Sequence, residues 1–130
     1  MPMNNAFTAS GKYKIAALTN NFAPSKDYPP NPETAKATRL LRSLFDEYFE
    51  SCVIGLRKPD SNIYLHVCRV LGVQPDECVF LDDIGVNLKF AKELGFTTIR
   101  VHVGKVKEAL VELEKVVGVK LVDVETISKL

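Results

Sequence analysis

The feature that most constrains the fold is an alternation of short apolar runs with longer amphipathic segments. Residues 13–18 are rich in strand-forming side chains, and residues 97–102 form a similar run. Residues 78–81 are continuously apolar, which is typical of a strand buried on both faces of a parallel sheet. Segments with helical spacing separate these runs, so the sequence predicts βαβ units and an α/β fold with a parallel sheet.

The apolar spacing predicts four helices, and glycines end three of them. The second helix begins at Asp60 or Ser61, either of which can cap it. Residues 52–54 are predicted to be extended. Residues 22–32 hold four of the seven prolines and are predicted to be a stiff loop. The predicted helices cover residues 33–49, 61–71, 86–94 and 106–117.

Length and composition indicate one intracellular globular domain over residues 1–130. Seventeen Lys and Arg balance sixteen Asp and Glu, so no basic stripe suggests a nucleic-acid partner. No apolar run approaches the roughly 20 residues that cross a bilayer, and the first residues lack the order of a signal peptide. We therefore expect no membrane partner and a cytoplasmic location, with the peroxisome left open.

The three cysteines, Cys52, Cys68 and Cys78, are odd in number and widely spaced. They form no Cys-x-x-Cys pair, so their spacing predicts neither a zinc site nor a disulfide framework. We interpret them as buried, reduced thiols of an intracellular protein.

Polar residues follow two of the predicted strands, at the sheet edge where α/β proteins bind ligands. Thr19 and Asn20 follow the first strand, and Asp82 and Asp83 follow the apolar run. Adjacent carboxylates at a buried strand end need compensation, which Mg²⁺ would supply. The alternative is an acidic helix start stabilised by the helix dipole. Lys58 is either a point charge for a phosphate or a solvated loop lysine.

The order of these residues resembles the haloacid dehalogenase-like hydrolase superfamily. Thr19 matches its Ser or Thr motif, Lys58 its Lys motif, and Asp82 with Asp83 its acidic pair. The strings ALTNNF, ESCVIGLRKPDSNIY and VFLDDIGVNLKFAKELGFTTIRV are similar to one branch of it. That branch includes the N-terminal phosphatase domain of bifunctional soluble epoxide hydrolases and the similar domain of some acyl-CoA dehydrogenases. The resemblance covers roughly residues 13–121.

The resemblance implies a three-layer Rossmann-like parallel sheet and a Mg²⁺-dependent phosphomonoester phosphatase that forms an aspartyl-phosphate. Thr19 and Asn20 would hold the phosphate of a small molecule. Lys58 would neutralise charge on the nucleophile and the phosphoryl group. Asp83 would be the metal ligand with Asp82 supporting it, and these two roles could be exchanged.

The first motif of the superfamily, an Asp-x-Asp or Asp-x-Glu after the first strand, has no match before Thr19. The twelve residues that precede residue 13 contain no Asp or Glu. We therefore expect a core truncated at its first strand, inactive alone because the nucleophile and the general acid are absent, with Mg²⁺ binding weak or absent. Asp123 and Glu125 have the spacing but not the following small residues, so a permuted nucleophile is disfavoured.

Two alternatives accompany this reading. A missing strand leaves sheet edges through which a homodimer could form, so the chain could be a non-catalytic binding or dimerisation module. A phosphorelay receiver domain also uses an acidic pair, but needs it early in the chain with a later phosphoacceptor Asp, and is rejected. His66 and His102 have no neighbouring Ser or Cys nucleophile motif.

Overall fold

The computed structural model describes residues 13–23 and 31–118, which belong to two compact units, Met1–Arg57 and Lys58–Leu130. Each unit pairs two parallel strands and carries helices, which confirms the predicted α/β class. Several predictions fall outside the described residues. They concern most of the proline-rich loop and the positions of Asp123 and Glu125.

The first unit contains one parallel pair of strands. Strand β1 (Ala16–Thr19) pairs with β2 (Glu47–Glu50), with Ala16 opposite Glu47 and Thr19 opposite Glu50. Helix α1 (Pro32–Ser43) joins them along the chain. Pro32 occupies the first helical turn, where its missing N–H costs nothing, and Asn31 caps the helix by accepting from the Thr34 amide at 2.7 Å. The predicted loop at residues 22–32 therefore ends one residue early.

The boundary predictions between residues 44 and 54 were wrong. Helix α1 ends at Ser43, and residues predicted to continue it form β2. Phe45 and Tyr48 match helical spacing, but the ladder with β1 and the burial of Phe49, which is 5% exposed, decide the strand. Residues predicted to be extended form a one-turn helix, α2 (Ser51–Ile54), because Gly55 adopts a left-handed backbone (φ 82°) that closes the turn.

The second unit follows the prediction closely. Its first and last helices end at Leu71 and Val117 as predicted, and its middle helix ends at Glu93, one residue before the predicted end. Asp60 caps the first of them by accepting from the Asn62 amide. Gly72 and Gly118 end helices in the left-handed conformation. The elements are α3 (Ser61–Leu71), a 3-10 turn (Pro75–Glu77), β3 (Val79–Asp82), α4 (Gly85–Glu93), β4 (Thr97–Arg100) and α5 (Val106–Val117).

The core of the second unit lies between its helices and the parallel pair β3 and β4. Tyr64, Phe80 and Phe96 pack edge to face, with ring centroids 5.6 to 6.5 Å apart. Such aromatic pairs stabilise the fold by more than the burial of their apolar surface alone. Ile63 and Tyr64 are fully buried, and Ile99 is 1% exposed. Asp82 lies opposite Arg100, so this packing fixes the carboxyl end of β3.

In the part of the chain that the structure describes, no helix has the length and apolar character that a membrane span requires.

Candidate functional site

Asp82 is the last residue of β3, and its side chain is turned inward. It is 9% exposed, and its Oδ1 accepts a hydrogen bond from the Ile84 amide at 2.9 Å. A buried carboxylate is expensive unless it is paired and hydrogen-bonded. Its remaining partners define the candidate site.

Lys58 supplies the opposite charge. Its Nζ lies 2.8 Å from Asp82 Oδ2, and the two side chains are 10% and 5% exposed. The ammonium also lies 5.5 Å from the centroid of the Phe80 ring. Asp60 caps α3, so Lys58 lies two residues before the cap of that helix. The peptide bond between Lys58 and Pro59 is cis. The sequence left open a solvated loop lysine, and the structure shows a buried ion pair instead.

Asn87 completes the shell around Asp82. This residue on α4 is 3% exposed, and its Nδ2 donates to Asp82 Oδ2 at 3.2 Å. Tyr64 donates its hydroxyl to the backbone oxygen of Asn87 at 2.6 Å and so links α3 to α4. Neither residue was assigned a role from the sequence. The signal for Asn87 was its place in the string Asp-Asp-x-Gly-x-Asn, five residues after Asp82, while the hydroxyl contact of Tyr64 had none.

The electrostatics of this shell favour an ionised Asp82. Burial alone would raise the pKa of this carboxyl, but the hydrogen bond and charge of Lys58, with the Ile84 amide, lower it below its usual value. Burial, with the nearby negative charge of Asp82, raises the pKa of the Tyr64 phenol to about 12. The phenol therefore stays protonated and acts as a donor at neutral pH.

The predicted acidic pair is divided between two environments. Asp82 is buried beside Lys58, whereas Asp83 is exposed. Both Asp82 oxygens already accept hydrogen bonds, and the described residues contain no group of three His, Cys, Asp or Glu that could hold a metal. The described side chains therefore do not form a complete Mg²⁺ site by themselves. The assignment of Asp83 as a metal ligand stays a prediction.

Thr19 and Asn20 belong to the first unit, at the carboxyl end of β1. The Thr19 hydroxyl donates to the backbone oxygen of Phe49 at 3.4 Å. The structure brings together Lys58 and Asp82, with Asp83 next in sequence. The phosphate-binding assignments of Thr19 and Asn20 stay predictions.

Asn21 and Ser51 form a reciprocal clasp that holds the segment after β1. The Asn21 amide donates to Ser51 Oγ at 2.8 Å, and Ser51 Oγ donates to the Asn21 backbone oxygen at 3.0 Å. The Cys52 amide donates to Asn21 Oδ1 at 3.2 Å. Sequence reasoning missed this clasp because its partners are 30 residues apart. It holds the backbone at Asn21, the residue that follows Asn20.

The chain matches a family model and several known proteins. The family model described as a haloacid dehalogenase-like hydrolase matches residues 4–95. Bifunctional epoxide hydrolase 2 of Sus scrofa is 41% identical over 109 residues, which cover 84% of this chain and 19% of that protein. Acyl-CoA dehydrogenase family member 10 of Mus musculus is 42% identical over 108 residues, 83% of this chain and 9% of that protein. Flavin mononucleotide hydrolase 1 of Arabidopsis thaliana is 51% identical over 87 residues, which cover 67% of this chain and 33% of that protein.

Solved structures show the same fold. A predicted haloacid dehalogenase-like hydrolase from Porphyromonas gingivalis superposes with a TM-score of 0.61 at 26% identity, covering 83% of this chain and 53% of that one. A haloacid dehalogenase family enzyme from Bacteroides thetaiotaomicron, in complex with magnesium and inorganic phosphate, superposes with a TM-score of 0.57 at 23% identity. The match covers 76% of this chain and 51% of that one.

The fold is thus an α/β fold of the kind found in haloacid dehalogenase-like proteins. The chain belongs to the haloacid dehalogenase-like hydrolase family, as the motif order predicts. It spans about a fifth of the length of bifunctional epoxide hydrolase 2 and a third of flavin mononucleotide hydrolase 1. Its relatives include a phosphatase that acts on glyceraldehyde 3-phosphate, according to its name, at 30% identity.

Proposed function

We propose that this chain provides the phosphate-binding and acidic-pair part of a Mg²⁺-dependent phosphomonoester phosphatase. The observation that carries the proposal is the buried Lys58–Asp82 ion pair at the carboxyl end of β3. Catalysis of phosphoryl transfer depends on charged groups that are already held in position in a site with little water. The buried Lys58–Asp82 pair is such an arrangement. The family membership and the phosphatases among the relatives support the same reading.

Each predicted residue has a role in this proposal. Thr19 and Asn20 bind the phosphoryl oxygens of a phosphorylated small molecule. Lys58 neutralises negative charge near the transferring group, and Asp82 fixes its ammonium. Asp83 interacts with Asp82 through its side chain but is exposed, so it has the more accessible carboxylate of the pair and is the proposed metal ligand. The cytoplasm is the proposed compartment.

Mg²⁺, when bound, would neutralise charge on the phosphoryl oxygens. Because no Asp-x-Asp or Asp-x-Glu motif precedes Thr19, Mg²⁺ binding by these 130 residues alone is proposed to be weak or absent. The chemistry also needs an Asp nucleophile and a second acid. The twelve residues before residue 13 contain neither Asp nor Glu, so the 130 residues are proposed to be inactive on their own.

Turnover of an aryl phosphate such as p-nitrophenyl phosphate, with and without Mg²⁺, tests this proposal. We expect no Mg²⁺-dependent turnover above that of the Asp83→Asn variant, with both chains folded by circular dichroism. Robust turnover that disappears in Asp83→Asn would contradict the claim of inactivity and would assign the chemistry to this chain.

A second candidate is a module that dimerises through strand edges. The observation that favours it is the size of the sheets, since each described sheet has two strands, fewer than the four to six that are usual. Strands from a second copy would extend them.

Sedimentation velocity over a wide concentration range tests this second candidate. A dimer whose fraction rises with concentration supports it, whereas a monomer at the highest concentration contradicts it.

A further inference from the structure

Two cysteines that are ten residues apart in sequence lie in contact within the second unit. Cys68 is on α3, Cys78 immediately precedes β3, and their Sγ atoms are 3.8 Å apart. Cys68 is 5% exposed and Cys78 is half-buried. The third thiol, on Cys52, belongs to the other unit and is exposed, so the prediction that all three cysteines are buried was wrong for Cys52.

The pair joins the two elements that carry the ion pair. Lys58 and Asp60 stand at the start of α3, and Asp82 ends β3. Cys68 lies in the last turn of α3, and Cys78 at the entrance to β3. The two elements are thus tied by Lys58 and Asp82 at one end, and the thiols meet at the other.

We propose that Cys68 and Cys78 form an oxidation site that closes to an intramolecular disulfide, with a small-molecule disulfide as the oxidant. A disulfide needs an S–S distance of about 2.05 Å, so the sulfurs must approach by a little under 2 Å. The two sulfurs are already in contact, so the proposal requires a local movement, and residues 69–77 separate the two cysteines along the chain.

The exchange balances with one oxidant molecule. The more accessible Cys78 thiolate attacks one sulfur of oxidised glutathione, which breaks the S–S bond and releases one glutathione thiolate. Cys68 then attacks the Cys78 sulfur of the mixed disulfide and releases the second glutathione. Two protein thiols are oxidised, one disulfide is reduced, and the two protons lost by the cysteines end on the two glutathione thiols.

The environment of the thiols sets the rate and the direction. Burial, with the neighbouring Cys68 thiol, raises the pKa of Cys78 to about 12, and burial also raises the pKa of Cys68. Few thiolates are present at neutral pH, so the exchange is slow. A thiol with a high pKa is also a poor leaving group, so the disulfide resists reduction once it has formed.

The test uses the full chain with Cys52→Ser, which removes the exposed thiol and intermolecular dimers. The protein is incubated with oxidised glutathione, and its mass and linked peptides are measured. We expect a loss of two hydrogens in mass, one peptide pair joining Cys68 to Cys78, and a rise in the thermal midpoint on the order of 5–10 °C that dithiothreitol reverses.

Matched variants separate the outcomes. Cys68→Ala and Cys78→Ala in the same background should show neither the mass loss nor the rise in midpoint. Two thiols that remain titratable after long incubation, while the urea-unfolded chain oxidises, would overturn the proposal. A mixed glutathione adduct that never resolves would overturn it as well.

Discussion

Lys58 and Asp82 form an ion pair at 2.8 Å that is almost closed to solvent, with 10% and 5% of the two side chains exposed. Asn87 and the Ile84 amide satisfy further Asp82 lone pairs. This arrangement places one fixed positive charge and one fixed negative charge at the carboxyl end of β3.

Removing the cation should be costly. Lys58→Met leaves the Asp82 carboxylate buried without a counter-charge, so we expect the free energy of unfolding in urea to fall by about 3–5 kcal/mol. Lys89→Met, an exposed lysine of α4, is the control and should change it by less than about 0.5 kcal/mol. Equal effects of the two substitutions would mean that the buried pair is not formed.

Acid should weaken the fold through Asp82. Its pKa is lower in the folded chain than the unfolded value of about 3.9, so the folded state binds this proton less tightly. The stabilisation is present above about pH 4 and is lost as pH falls through the lower folded pKa.

Urea unfolding at a series of pH values measures this loss. Asp82→Asn should flatten the acid limb of the stability curve, and its slope is compared with that of Asp76→Asn, an exposed carboxyl of the same unit. Identical slopes in the parent chain and in Asp82→Asn would contradict the assignment.

The Tyr64 hydroxyl should contribute measurably to the second unit. Tyr64→Phe keeps the ring contacts with Phe80 and Phe96 but removes the donor to the Asn87 backbone oxygen. We expect a loss of about 1–2 kcal/mol by urea unfolding. Tyr48→Phe, a half-buried tyrosine of the other unit, is the control and should have the smaller effect.

The clasp after β1 should depend on one hydroxyl. Ser51→Ala removes the acceptor for the Asn21 amide and the donor to its backbone oxygen. Hydrogen exchange at the Asn21 amide should therefore be faster, by about tenfold for each 1.4 kcal/mol of lost protection. Ser43→Ala, which removes a contact within α1, should leave that amide unchanged. Unchanged exchange in Ser51→Ala would show that the clasp does not form.

The sequence predicted the second unit better than the first. Gly72 and Gly118 follow the ends of two helices, so the sequence itself shows where those helices stop. The continuous apolar run identified β3 as a buried strand. Residues 44–54 carry no such punctuation before Gly55, and Phe45 and Tyr48 fit a helical period as well as a strand. The pairing with β1 decided that segment, and local periodicity contains no information about a partner about 30 residues away.

The residues of the site that belong to the ordered motifs could be predicted from the sequence. The contacts that depend on tertiary packing could not. Thr19, Lys58, Asp82 and Asp83 stand at marked positions. Tertiary packing produces the other features of the site, and it joins residues that are far apart in sequence. These features are the burial of Lys58, the hydrogen bond from Asn87, the Ser51 clasp and the contact between Cys68 and Cys78. Spacing of cysteines alone predicted no pairing at all.

The central claim is that Lys58, held by the buried Asp82, binds phosphate at the carboxyl end of β3. An NMR titration of the backbone amides with inorganic phosphate tests it most directly, with Lys58→Met as the test variant and Lys89→Met, at an exposed lysine, as the matched control. The account predicts saturable shifts around Lys58 and Asp83, described by a single dissociation constant, with weaker binding in Lys58→Met and unchanged binding in Lys89→Met. No saturable shift around Lys58 at concentrations that saturate ordinary phosphatases, or equal binding by a folded Lys58→Met variant, would contradict it.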